Sequence, residues 1–429
     1  MRLCTVPSGA VCDMIFLNII DTENIMEDLA RITLSARAEK EIKNGFPWAY
    51  DTEVSADEQL RDGEVCLAYS EKGKYIAAGF YNSASKLRFR VVSTNANDTV
   101  DEQFWARRIR WAVDYRRRVM GEDFSCCRLI FGDADGFPGL TVDRYCDVLS
   151  AEVNCLGMDR IKDVIYRELL GYLSETGETI TSVRERSEGR NRQLEGLPDF
   201  TGYISVPGFD LTEKREVIIT ENGIRYAVDV EQGQKTGYFL DQKYNRAAAA
   251  RIAKGLNVLD CCTHTGGFAL NCAAAGAASV LGIDISQTAV DQSTRNAQLN
   301  GLGNVTFEKH DVFDFLADAL KAGRKDWNMI ILDPPAFTKS RSTVKNADSA
   351  YEELNLLAMR LLPRGGYLVT CSCSRFMTPD LFQKAIARAA YRARVSLKLI
   401  EKRGASPDHP VLVGAPDTEY LKCFIYQVV

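Results

Sequence analysis

The stretch Val258-Leu259-Asp260-Cys261-Cys262-Thr263-His264-Thr265-Gly266-Gly267-Phe268 decides the fold of this chain. Its pattern predicts an apolar strand that ends in an acid, followed by a loop of small residues that opens a helix. Such a loop lets backbone N–H groups approach a ligand at the carboxyl end of a sheet. The stretch matches neither GxGxxG nor GxxxxGK[ST], so it disfavours tight pyrophosphate binding and a nucleoside-triphosphate site.

Strands and helices alternate around this stretch. The candidate strands cover residues 257–260, 279–284, 305–309, 328–332, 367–370 and 422–428. Helical stretches separate the earlier strands, which predicts an α/β fold with a parallel, doubly wound sheet covered on both faces. A hairpin across Glu221-Asn222-Gly223 precedes this sheet, because Asn-Gly readily takes the positive φ angles of a tight turn.

Four consecutive strands of the predicted sheet end in aspartate, at Asp260, Asp284, Asp311 and Asp333. Asp284 lies about 20 residues past the glycine loop, where a carboxylate can accept hydrogen bonds from two ribose hydroxyls. Asp311 is placed to meet an adenine amino group. A single acid at such a position is equally compatible with the N-cap of the next helix. Four acids at one sheet edge indicate a shared ligand pocket.

The ligand of this pocket is expected to be an adenosine without a phosphate tail and with a cationic or zwitterionic end. S-adenosylmethionine fits, because the acidic rim would attract its sulfonium. The loop before the sheet adds Tyr238, as a cover for the cofactor, and Gln242, as an orienting group; a hairpin exit with core aromatics is the alternative. The candidate cofactor-binding residues are Asp260, Thr263, Thr265, Gly266, Phe268, Asp284, Ile285, Asp311, Val312, Asp333, Tyr238 and Gln242.

Two further motifs carry the chemistry, Asp333-Pro334-Pro335-Ala336-Phe337 and Thr370-Cys371-Ser372-Cys373-Ser374. In a doubly wound sheet the two loops would lie side by side. A pyrimidine carbon is a poor nucleophile, but a thiolate that adds to C6 makes C5 able to accept a methyl group. We therefore predict Cys371 as the favoured nucleophile and Asp333 as the acid near the ring nitrogen. Cys373 would assist release or pack.

Two alternatives stay open for these motifs. A free cysteine is commonly a small buried hydrophobe. The Asp-Pro-Pro loop also suits amine methylation, in which the acid and a proline carbonyl accept hydrogen bonds from an amino group. That chemistry expects an aromatic where this chain has Ala336, and it gives Cys371 no role.

Composition places the chain among multidomain proteins of a reducing compartment. Its 429 residues are enough for about three domains, with 46% hydrophobic and 26% charged residues. A net charge of −5 argues against a protein that coats nucleic acid non-specifically. Thirteen cysteines without a clear secretion signal predict reduced cytoplasmic thiols. Three histidines and no CxxC argue against zinc, and no apolar run is long enough for a membrane span.

The chain resembles the bacterial RlmI-like family of large-subunit ribosomal RNA cytosine-5 methyltransferases. The residues that carry the resemblance are Lys235-Thr236-Gly237-Tyr238-Phe239-Leu240-Asp241-Gln242, the two motifs above, and Asp408-His409-Pro410-Val411-Leu412. It implies a class I methyltransferase domain over 213–429, an α+β middle domain over 100–212 and a β-rich PUA-like domain over 28–96. Residues 1–27 are an extra segment outside the pattern. The resemblance also implies Cys371 as the nucleophile.

The RNA-contacting residues are predicted from charge and from this resemblance. Lys86, Arg88 and Arg90 would alternate on one face of a strand and contact phosphates, or would be a solvated strand face. Lys235, Phe337 and Lys339 complete the candidate set. The implied partner is large-subunit ribosomal RNA, with no membrane partner, and a homodimer is left open. A non-catalytic RNA-binding assembly factor is the alternative from a different functional class.

Overall fold

The computed structural model describes residues 29–56, 60–338 and 340–429, so the extra segment 1–27 and Lys339 lie outside the described residues. The first sheet of the chain has six strands in the order β2-β6-β5-β4-β1-β3. Phe89 is fully buried in the core of this sheet, together with Leu34 and Ala77. Its elements are β1 (Arg31–Leu34), α1 (Ala36–Lys43), β2 (Trp48–Ala49), β3 (Val54–Ala56), β4 (Val65–Ser70), β5 (Tyr75–Tyr81) and β6 (Phe89–Ser93).

The second sheet has five strands in the order β11-β10-β9-β8-β7 and packs against two long helices. Its elements are α2 (Glu102–Met120), β7 (Cys126–Phe131), β8 (Leu140–Tyr145), β9 (Val148–Val153), α3 (Leu156–Glu175), β10 (Ser182–Ser187), α4 (Arg190–Leu194) and β11 (Phe200–Tyr203). The polar stretch 187–201, which its composition suggests is a loop, therefore contains a short helix and the start of an edge strand.

The third sheet has seven strands in the order β16-β15-β14-β17-β18-β20-β19 and follows the hairpin of β12 and β13. Its first five strands are parallel, and β20 runs antiparallel between β18 and β19. The elements are β12 (Glu216–Glu221), β13 (Ile224–Asp229), α5 (Lys243–Ala250), β14 (Asn257–Cys261), α6 (Gly267–Ala274), β15 (Ser279–Asp284), α7 (Gln287–Leu299), β16 (Val305–Lys309), α8 (Val312–Lys321), β17 (Met329–Leu332), α9 (Val344–Leu361), β18 (Tyr367–Ser372), α10 (Pro379–Ala393), β19 (Leu397–Arg403) and β20 (Lys422–Val428).

This arrangement confirms the doubly wound α/β fold. Successive residues of a strand point to opposite faces, and accordingly Val258 and Leu259 lie in two separate cores on the two sides of the sheet. All four residues of β17 are buried, as expected for a central parallel strand. The strand order reverses between β14 and β17, which opens a crevice at their carboxyl ends, the usual ligand position in such sheets.

Buried polar contacts join the second sheet to the C-terminal segment. The fully buried Arg116 donates to Asp135 Oδ1 at 2.6 Å and to the Asp408 carbonyl at 2.9 Å. The Asp408 carboxylate in turn accepts from the Arg128 backbone N–H at 2.8 Å. Within the described residues, no helix is both long and apolar enough to cross a membrane.

Candidate active site

The loop after β14 is held in shape by Asp260, which is fully buried. Its Oδ2 accepts from the Thr263 hydroxyl at 2.6 Å and from the Ala269 N–H at 3.0 Å. Gly266 begins α6 at a φ of +85°, which glycine adopts without strain. Asp260 Oδ1 and Thr265 Oγ1 are buried without a partner among the described residues. Burial raises the pKa of Asp260 to about 7, with a contribution from Asp333.

The next two strand-end acids have different environments. Asp284 accepts the His264 N–H through Oδ2 and the Ser286 N–H through Oδ1, each at 2.9 Å, and so ties the glycine loop to β15. Ile285 beside it is 65% exposed and offers an apolar surface. Asp311 is the N-cap of α8, where Oδ1 accepts from Phe313 N at 2.8 Å.

All four strand-end acids converge on Cys262. Burial raises the pKa of its thiol, and each of Asp284, Asp333, Asp260 and Asp311 adds to the effect. The four acids therefore lie at one end of the sheet, as the predicted pocket requires. These features fit an adenosine that carries a positive charge: buried oxygens without a protein partner among the described residues, a loop of small residues, and the exposed apolar side chain of Ile285.

Three predicted cofactor contacts belong to the packed cores instead. Tyr238 is 4% exposed and its hydroxyl donates to Glu221 Oε1 at 3.1 Å, so its ring belongs to the core beneath the hairpin. Phe268 is also 4% exposed and lies in the same core. The side chain beside the crevice is Phe239, whose ring meets that of His264 edge-on with centroids 5.0 Å apart. Val312 likewise packs at the border of the core on the other side of the sheet.

Asp333 is oriented by Gln242, whose Nε2 donates to Asp333 Oδ1 at 2.9 Å. The Gln242 side chain is fixed in turn, because its Oε1 accepts from Asn245 Nδ2 at 2.7 Å. Burial raises the pKa of Asp333 to about 7, and Asp241 adds to the effect. Gln242 therefore supports the acid of the Asp-Pro-Pro loop.

Asp241 is a site residue that the sequence analysis did not single out. It is 5% exposed, its Oδ2 accepts from the Tyr420 hydroxyl, and its Oδ1 is buried without a partner among the described residues. Burial alone would raise its pKa, but His409, Lys235 and the Tyr420 hydroxyl hold it below the ordinary value. Asp241 is thus ionised at neutral pH, whereas Asp333, like Asp260, titrates there.

The two candidate thiols lie in different places. Cys371 is inside β18, fully buried and directly opposite Cys423 of β20. Burial and the neighbouring Cys423 raise its pKa well above the ordinary value. This placement argues against the preference for Cys371, because its thiol is enclosed within the β18–β20 ladder.

Cys373 comes just after the end of β18 and is partly exposed. Its Sγ lies 3.9 Å from the Pro334 carbonyl oxygen, against the Asp-Pro-Pro loop. Burial and then Asp333 raise the pKa of its thiol to about 11, while Lys235 and Lys422 oppose the shift. Of the two cysteines, this one shares the crevice with the acids.

The predicted phosphate-contacting strand face is largely wrong. β6 begins at Phe89, so Lys86 and Arg88 lie in the preceding turn, and Arg88 donates to the Ser83 carbonyl. Arg90 forms an ion pair with Glu195 Oε1 at 2.9 Å, and only 12% of its side chain is exposed. Lys86 is exposed.

The remaining candidates for RNA contact also differ in their exposure to solvent. Lys235 is exposed, with its Nζ 4.9 Å from the ring centroid of Phe239. Phe337 is partly buried and packs against Tyr351, with centroids 4.7 Å apart. Lys339 lies outside the described residues.

Comparisons with known proteins show the family of this chain. A family model described as S-adenosylmethionine-dependent methyltransferase matches residues 207–425, and one for a PUA-like domain matches residues 32–94. The ribosomal RNA large subunit methyltransferase I of Shewanella amazonensis is 36% identical over 405 residues, which cover 93% of this chain and 99% of that protein. The protein of the same name from Aeromonas hydrophila is 36% identical over 398 residues, which cover 92% and 98%.

Among solved structures, a chain from Streptococcus mutans assigned as a SAM-dependent methyltransferase has a TM-score of 0.78 at 22% identity. The match covers 93% of this chain and 100% of that one. Another structure, of a methyltransferase complexed with SAH, has a TM-score of 0.79, also at 22% identity. These likenesses concern the fold.

Proposed function

Because this chain belongs to the ribosomal RNA large subunit methyltransferase I family of S-adenosylmethionine-dependent methyltransferases, we propose that it methylates carbon 5 of a cytosine in large-subunit ribosomal RNA. The reaction would pass through a covalent adduct with Cys373. The observation that carries this proposal is the position of Cys373, 3.9 Å from the Pro334 carbonyl and at the edge of the acidic crevice.

The cofactor supplies an electrophilic methyl group when it is bound. Asp284 would hold the ribose hydroxyls, and Asp311 and Ile285 would contact the adenine. The methionine part would lie against the loop of residues 263–267, where Thr265 Oγ1 and Asp260 Oδ1 lack protein partners. These contacts leave the Asp-Pro-Pro loop and Cys373 for the base.

The chemistry of the base begins when the Cys373 thiolate forms a bond to C6. Asp333, whose pKa lies at about 7, is able to donate a proton to the ring nitrogen as negative charge develops there. C5 then becomes a nucleophilic, enamine-like carbon. After C5 has gained the methyl group, its proton passes to a base, for which the ionised Asp241 is our candidate. The S–C6 bond breaks, the proton on the ring nitrogen returns to Asp333, and the thiolate is restored.

The target base has to leave its stack to reach this crevice. The PUA-like domain, with the exposed Lys86, and Lys235 at the crevice are our candidates for contacts that present the RNA. A ribosomal RNA substrate would place the activity in the cytoplasm. The homodimer stays a prediction.

A matched pair of variants tests this proposal. Unmodified large-subunit ribosomal RNA is incubated with S-adenosylmethionine and enzyme, and its nucleosides are analysed by mass spectrometry. We expect Cys373→Ala to form no 5-methylcytidine and to keep cofactor affinity by calorimetry, whereas Cys371→Ala remains active. Turnover by Cys373→Ala would refute the adduct. A methylated product without carbon-5 modification would indicate amine methylation, and RNA binding without cofactor binding would indicate an assembly factor.

A further inference from the structure

Lys422, the first residue of β20, is a buried lysine next to the loop that carries Cys373. Lys422 is 2% exposed, and its Nζ donates hydrogen bonds to the Ser374 and Tyr420 carbonyls, each at 2.7 Å. Among the described residues, no carboxylate oxygen lies within 4 Å of this nitrogen: the ion pairs found there do not include Lys422. An ammonium is costly to bury without a counter-charge, so this position calls for an anion nearby.

The register of the sheet shows which group near Lys422 is able to supply this negative charge. Lys422 pairs with Ser372 at the end of the β18–β20 ladder, and its Nζ holds the carbonyl of Ser374. Cys373 lies between these two residues and is the group that most strongly opposes loss of the Lys422 proton. A thiolate at Cys373 would supply the missing negative charge.

The charged groups around Cys373 have opposite effects on its thiolate form. Asp333 and Asp241 both disfavour a thiolate, while Lys235 and Lys422 favour it. Lys235 is exposed, so solvent and salt screen its effect. Lys422 is buried, where a charge acts with little screening. Glu419 is the acid that supports the charge of Lys422 itself.

Resting on the proposed function, we infer that Lys422 is a positioning residue, whose ammonium fixes the loop at the end of β18 and favours the thiolate form of Cys373. Burial lowers the pKa of Lys422 to about 8, so its charge is present at neutral pH and is lost as the pH rises through that value. The support for the thiolate is therefore strongest below pH 8.

Alkylation of the full-length apo protein tests this inference without RNA or turnover. The protein is treated with iodoacetamide between pH 6.5 and 9.5, and modification of Cys373 is followed by peptide mass spectrometry. Below pH 8, we expect Cys373 of the Lys422→Met variant to react with iodoacetamide about tenfold more slowly than Cys373 of the wild type. This difference in rate should narrow above pH 8. Lys422→Arg keeps a charge and should react at nearly the wild-type rate. Cys262, which is partly exposed and is not one of the groups that shift the pKa of Lys422, serves as the internal control.

A purely structural role predicts a different result. If Lys422→Met merely loosens the loop, Cys373 should react equally fast or faster at every pH, and this outcome would overturn the inference. Thermal melting identifies a variant that fails to fold, in which case Lys422→Gln takes its place, since the amide retains donors to both carbonyls. Activity of Cys373→Ala would overturn the proposed function instead, whatever the alkylation profile shows.

Discussion

Two cysteines separated by one residue differ in chemistry because a strand ends between them. The sequence predicted the fifth strand of the sheet to end at residue 370, which would have left Cys371 in the loop. The antiparallel pairing with β20 extends β18 to Ser372, and Cys371 therefore faces Cys423 inside the ladder. Pairing with a strand some fifty residues further on is a tertiary effect, and local sequence patterns do not determine it.

The two crevice acids with raised pKa values predict how cofactor binding depends on pH. The pKa values of Asp260 and Asp333 are both raised to about 7, so both carboxyls are largely neutral at pH 6 and ionised at pH 8. Ionised carboxylates attract a sulfonium, so the affinity for S-adenosylmethionine should rise by about tenfold across this interval, ~1.4 kcal/mol. Calorimetry at several pH values measures the effect.

The matched control for this prediction is S-adenosylhomocysteine, whose sulfur is uncharged. Its affinity should change much less with pH, and Asp333→Asn should flatten the profile for S-adenosylmethionine. Equal pH dependence of the two ligands would show that the acids do not act on the sulfonium.

At the scale of whole elements, most strands of the third sheet were predictable, but its charged edge strand β19 was not. The strands that end in Asp284 and in Lys309 have the predicted bounds. The first is a mainly apolar run that ends in an acid, and the second alternates apolar and polar residues from Val305 to Glu308. By contrast, β19 was missed because it is a charged edge strand whose residues are mostly exposed. The crevice acids could be placed from sequence because they follow the central strands directly. Asp241 could not, since it follows no strand and its partner Tyr420 is 179 residues away.

Asp311 has two roles that a pair of substitutions can separate. As the N-cap of α8 it accepts from Phe313 N and Asp314 N, and loss of an N-cap typically costs about 1 kcal/mol. We expect Asp311→Ala to lower the free energy of unfolding by about that amount, measured by urea denaturation. Asp311→Ser should retain most of the stability, since serine is also a good N-cap.

Cofactor affinity then reports the second role of Asp311. Both variants should bind S-adenosylmethionine more weakly than the wild type if the carboxylate contacts adenine. If Asp311→Ser binds S-adenosylmethionine with wild-type affinity, Asp311 serves only as the N-cap of α8.

At the scale of the whole molecule, buried polar contacts between residues distant in sequence connect the three sheets. Glu195, in the segment that looked like a loop, accepts from Ser85 at 2.6 Å and from Asn82 Nδ2 at 3.2 Å, besides its ion pair with Arg90. These partners are more than 100 residues away from it. Alternating cations near Arg90 predicted an RNA-facing surface because sequence alone does not reveal a buried partner at such a distance.

The Arg90–Glu195 pair should therefore hold the PUA-like domain against the second sheet. Arg90→Met leaves the 3% exposed Glu195 side chain without its counter-charge, and breaking a buried pair in this way costs about 3–5 kcal/mol. We expect a clear fall in the denaturation midpoint and faster proteolysis between the first two sheets. Arg88→Met is the matched control. Among the described residues, the Arg88 side chain donates only to carbonyls of its own turn, so this variant should lose less than ~1 kcal/mol of stability. S-adenosylmethionine affinity should stay unchanged in both variants, because neither residue lies at the crevice. If Arg90→Met instead left stability intact and weakened RNA binding, Arg90 would be a phosphate contact as its sequence pattern first suggested.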